Sequence, residues 1–149
     1  MVEEQIKVTG HVDIVVTDKD GNIKDTRSIK NLVVTAGKTF IAASMLKTTT
    51  NSPAAMSHMA IGAGTSAAAV GDTALGSQLG RVSLASASST GAVVTYTATF
   101  SAGTGTGAVT EAGIFNNSSG GDMLCRTVFS VVNKGVDDAM SVTWTVTVS

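Results

Sequence analysis

The chain has 149 residues, enough for one domain that buries roughly two thirds of its unfolded surface without disulfide or metal staples. Close to half of it is Thr, Ser, Ala or Gly, only 14% is charged, and the net charge is −1. That balance excludes the basic stripe nucleic acid requires, the single Cys125 excludes an internal disulfide, and no apolar run approaches the ~20 residues that cross a bilayer.

Charge is concentrated at the start: 12 of the 21 charged side chains lie in residues 1–38. Met1–Val2–Glu3–Glu4 is acidic and opens no secretory h-region, so synthesis and retention in a cytoplasm is the expectation. Residues 6–17 alternate as a strand with Val8, Val12, Ile14 and Val16 on one face. Asp18–Lys19–Asp20–Gly21–Asn22 supplies a turn, and residues 23–29 return as the partner strand. Residues 1–30 are therefore expected to form a charged hairpin that projects as an arm or forms a sheet edge, and 31–149 the β-sandwich body of a single domain. A short strand at 31–34 precedes a helix over about 36–47, with Thr35 as its N-cap. Residues 48–56, with the only proline, read as a loop. A buried strand at 59–62 leads into a small-residue excursion over 63–80, where 72–75 has the length of one helical turn.

Five strands follow at 81–88, 92–101, 108–116, 123–132 and 139–149, which brings the total to eight or nine. Short strands at about ten-residue spacing predict a mainly β chain, an antiparallel sandwich or jelly-roll-like fold with one short α-helix. Its core would rest on Val residues and on Trp144, Phe100, Phe115 and Phe129. In the last strand Val142, Trp144, Val146 and Val148 share a face, and the opposite face is Ser and Thr with no Lys or Glu. Such a face is either a modest surface or one that a partner covers.

Several fragments imitate chemistry, and each lacks a partner. Gly37–Lys38–Thr39 has the end of a phosphate loop, but the first glycine of that motif falls on Leu32. Ser44 and Lys47 have the spacing of a serine–lysine acylation motif without its companion motifs. Asp18, Asp20 and Asn22 open like a calcium loop, yet Ile29 holds the place of the bidentate Glu, so a plain turn is favoured. His11 and His58 have no ligands at zinc spacing. Cys125, set in a strand, reads as a buried structural thiol. Glu111 is the lone acid in a strand-like setting; a buried Glu needs a cationic or hydrogen-bonding partner, and Arg126 in the next strand is the natural one for a structural pair. The glycine loops at 62–71 and 103–107 read as connections. No acid, base and nucleophile set remains, so the expectation is a non-enzyme with no cofactor and no metal.

Residues 31–38 (NLVVTAGK), 59–65 (MAIGAGT), 71–76 (GDTALG), 110–116 (TEAGIFN) and 123–127 (MLCRT) together resemble small structural proteins of tailed bacteriophages, over 31–149. The resemblance implies a virion component made in the host cytoplasm. The first expectation is a capsid decoration (cement) protein on the capsid surface, a homotrimer that clamps subunits of the major capsid protein, with no nucleic-acid or membrane partner. The N-terminal hairpin would engage the shell or a neighbouring copy by strand addition through Val2, Ile6, Val8 and His11, and deleting it would leave the sandwich folded. The alternative is a tail-fibre or baseplate module, whose segments the element at 111–115 resembles. A carbohydrate-binding sandwich ranks lower, because one Trp and one Tyr, both on inward-looking faces, provide no sugar platform.

Overall fold

The computed structural model describes residues 4–46 and 52–149. In chain order the elements are β1 (Val8–Thr17), β2 (Ile23–Lys30), β3 (Leu32–Val33), α1 (Thr35–Ser44), β4 (His58–Gly62), β5 (Gln78–Ser83), β6 (Ser86–Thr90), β7 (Val93–Phe100), β8 (Gly107–Phe115), β9 (Met123–Lys134) and β10 (Ala139–Val148). They form two five-stranded antiparallel sheets, β2-β1-β10-β7-β6 (sheet A) and β3-β9-β8-β4-β5 (sheet B). The molecule is thus mainly β, with one short helix among the described residues, as two sheets of a sandwich require. Jelly-roll connectivity goes no further than expectation.

Alternation builds the core. Val12, Ile14 and Val16 of β1 lie opposite Trp144, Val142 and Met140 of β10, and their side chains meet Met59, Ile61, Ala112 and Ile114 of sheet B in one buried cluster. Sheet B is buried on its other face as well. There Val34, Ala60, Phe115 and Met123 form a second cluster, with Ala36 and Leu75 packed on it. Burial on both faces explains why β8 runs buried from Val109 to Phe115 and carries Glu111 with it.

Four expectations are corrected by the structure. The hairpin of residues 1–30 forms an edge of sheet A through β2, the second of its two expected placements, and is not an arm set apart from a 31–149 body, because β1 lies between β2 and β10 and supplies core residues. The strand expected at 81–88 is two strands in different sheets. The Leu84 N–H donates to Ser57 O at 2.9 Å and the Ala85 N–H to Thr97 O at 2.7 Å, so the chain changes sheets within one peptide step. That break brings the described strands to ten. Residues 72–75 are not helical, since Asp72 is held by side-chain contacts described below. At the start of α1, Thr35 is the first helical residue. Extended Val34 takes the cap position, with no side-chain cap bond.

Candidate functional site

The densest polar constellation surrounds Glu111, which is fully buried on the outer face of sheet B. Its carboxylate accepts backbone N–H bonds from Gly64 (2.6 Å), Gly76 (2.8 Å) and Ser77 (2.8 Å). Arg126 donates to it through Nε (3.2 Å) and Nη2 (3.0 Å). The remaining guanidinium donors reach Ser66 O, Ala67 O and the Asp72 carboxylate, the last at 2.8 Å. The Asp72 carboxylate in turn accepts the Ala69 N–H. One carboxylate and one guanidinium thereby hold the whole course of the 63–77 segment against the sheet.

The glycines follow from this clamp. A Cβ on Gly64 would lie 2.4 Å from a Glu111 oxygen and one on Gly62 2.6 Å from it, so the backbone approaches the carboxylate only where the side chain is a hydrogen. Burial raises the Glu111 carboxyl, but the N–H groups of Ser77, Gly76 and Gly64, with Arg126, outweigh it and leave the group below its ordinary value. For Asp72 the Ala69 N–H is the largest influence and, together with Arg126, outweighs burial to the same effect. An anionic carboxylate with every nearby donor engaged is a poor general base. Its chemistry is to anchor a loop.

The structure thus brings the expected partners Glu111 and Arg126 together. Asp72 was missed, because nothing local marks a loop aspartate as the second carboxylate on a distant arginine.

Cys125 is buried, and burial pushes its thiol well above the ordinary range, where the nucleophilic thiolate is scarce. Asp18 Oδ1 accepts the N–H groups of Asp20 and Asn22, both at 2.9 Å, which closes the β1–β2 turn. Gly37 lies within α1, and its place there is set by packing: an added Cβ would sit 2.0 Å from Leu124 O. Ser44 Oγ is turned back to Phe40 O at 2.7 Å, and Lys47 lies outside the described residues. His58 contacts Ser57 Oγ through Nδ1 at 2.8 Å and Ser83 Oγ through Nε2 at 3.4 Å.

Of the expected contact residues, Val2 lies outside the described residues, Ile6 is 79% exposed, Val8 is half-buried, and His11 is exposed on β1. His11 forms a cluster with Asp13 and Ser28. Ser28 Oγ lies 2.7 Å from His11 Nε2 and donates to Asp13 Oδ1 at 2.9 Å, while His11 Nε2 lies 3.2 Å from the same oxygen. Serine and carboxylate thus meet one ring nitrogen. A nucleophilic relay needs them on opposite nitrogens, so the cluster does not have the geometry of a catalytic triad.

Beside this cluster the outer face of sheet A changes character. Asp13, Thr143, Thr97 and Ser86 lie side by side on successive strands, as do His11, Thr145, Thr95 and Ser88. From β10 across β7 to β6 these rows hold only hydroxyls. This charge-free face extends across β7 and β6 the Ser and Thr face expected of the last strand. Comparison with family models, with curated proteins and with solved structures finds no match.

Proposed function

We propose that this chain is a non-enzymatic structural protein of a tailed-bacteriophage virion, a capsid decoration protein that binds the shell of major capsid protein and associates with its own copies. The observation that carries the reading is the hydroxyl face of sheet A. Ser and Thr cost far less to cover than Lys and Glu, because a hydroxyl needs only a hydrogen-bonding partner whereas a covered ion needs a counter-charge. The buried ion network supports the same reading, because its charges are spent on holding the chain's own loop. The resemblance of residues 31–149 supplies the virion setting and implies a trimer. A tail-fibre or baseplate module is the second reading, favoured by the likeness of residues 111–115 to tail-fibre segments.

Copy number separates the two. Quantitative mass spectrometry of purified virions should find this chain at a ratio to the major capsid protein near one, or at a simple large fraction of it. A ratio of a few per cent would move it to the tail. Absence from virions would overturn both readings.

A further inference from the structure

Residues 63–77 leave sheet B at the end of β4 and return to it at the start of β5. The Ala63 N–H donates to Ser77 O at 2.8 Å, so the two ends of the segment meet in a closed neck, the form of an Ω-loop. A Cβ on Gly62 would overlap Ser77 O and one on Gly76 would lie 3.2 Å from the Gly64 Cα, so glycines let the two sides of the neck touch. No residue of the loop is buried, and Leu75, packed on the outer cluster, is its one large apolar side chain that is not exposed. What holds the loop down is polar: the Glu111 carboxylate in its neck, the Arg126–Asp72 contact at its crest, Thr110 Oγ1 donating to Gly64 O at 2.6 Å, and the Thr35 N–H donating to Val70 O at 2.7 Å. Glu111 grips both sides of the neck, and Arg126 grips the crest while holding Glu111, so freeing one anchor loosens the others. Release strands no ion. With the loop lifted, Glu111 and Arg126 face water and keep each other, whereas parting the two sheets would expose Trp144, Phe100 and Met140.

We propose that residues 63–77 are a strap that opens and closes over Glu111 and Arg126 as one unit while both sheets stay folded. In its open form an ion pair stands on the outer face of sheet B, where the closed form presents the uncharged crest from Thr65 to Gly71. This device is independent of the virion reading.

Amide hydrogen exchange of the full chain, followed by NMR with and without low urea, tests it. After correction for each amide's intrinsic rate, the bonded amides of Gly64, Ala69, Gly76 and Ser77 are expected to share one opening equilibrium. That opening should be at least ~10-fold more populated than the opening of β10, and less sensitive to urea because it exposes less surface. Ile14→Val thins the core between the sheets, away from the strap. It should speed exchange in β10 about 2–10-fold and leave the four strap amides unchanged. Asp72→Asn removes the charge that Arg126 holds at the crest and should speed all four at least ~3-fold. Strap amides that exchange only with β10, that respond to Ile14→Val as β10 does, that open at four unrelated rates, or that are unmoved by Asp72→Asn would overturn the proposal. The parent chain's own exchange pattern decides it even where a variant fails to fold.

Discussion

Glu111 shows how one ionisable residue can organise a loop. A carboxylate removed from water is costly unless donors replace the water, and here three backbone N–H groups and a guanidinium do so. Glu111→Gln keeps the shape, removes the charge and leaves Arg126 buried without its main counter-ion. It is expected to lower the unfolding free energy by about 3–5 kcal/mol, measured by urea denaturation. The pH dependence has a definite sign. Because the folded carboxyls of Glu111 and Asp72 lie below their ordinary values, their stabilisation is complete above the ordinary carboxylate range near pH ~4 and is lost as pH falls through the lower folded values. The Glu111→Gln chain should therefore lose part of the parent's acid slope. Glu111 and Arg126 were legible in the sequence because charges inside apolar strands call for partners. Asp72 was not, since its role depends on the path of a loop that the clamp itself defines.

Among the elements, α1 is placed by a glycine. Gly37 lets the helix lie directly on the backbone of β9, where a Cβ would fall 2.0 Å from Leu124 O. Gly37→Ala gains ~1 kcal/mol of helix propensity but costs ~1–3 kcal/mol in overpacking. A backbone carbonyl cannot swing aside as a flexible side chain does, so the cost falls at the upper end and a net loss of about 1–2 kcal/mol is expected, read as a lower denaturation midpoint. The strands from β7 to β10 were legible to within about two residues, because β7 and β10 alternate with period two and glycine or polar turns bound the continuously buried β8 and the start of β9. The β5–β6 break was not. Val82, Ser83, Leu84, Ala85 and Ser86 continue an acceptable strand pattern, and only the competing bonds to Ser57 on one side and Thr97 on the other reveal that the chain changes sheets.

At the scale of the molecule, the N-terminal hairpin belongs to the core. Val12, Ile14 and Val16 are fully or almost fully buried against β10 and sheet B. Deleting residues 1–30 removes two of the five strands of sheet A and exposes Trp144 and its neighbours, so the remainder is expected to lose its cooperative unfolding transition, checked by circular dichroism and thermal melting. A truncated chain that still melted cooperatively would restore the arm. The charges of the hairpin suggested a separable piece, but its inner face seals one side of the sandwich, and even Asp25 and Arg27 of β2 lie on that face, opposite Val16 and Ile14, where Arg27 donates to Ser130 O and Val131 O of β9. The sequence by itself determined the β class, the single short helix, the facing of most strands and the Glu111–Arg126 pair, because alternation and buried charge are local signals. Only the tertiary structure decided which strands share a sheet, that both faces of sheet B are covered, and that the hydroxyls of three strands form one face, because strand order depends on contacts between residues far apart in the chain.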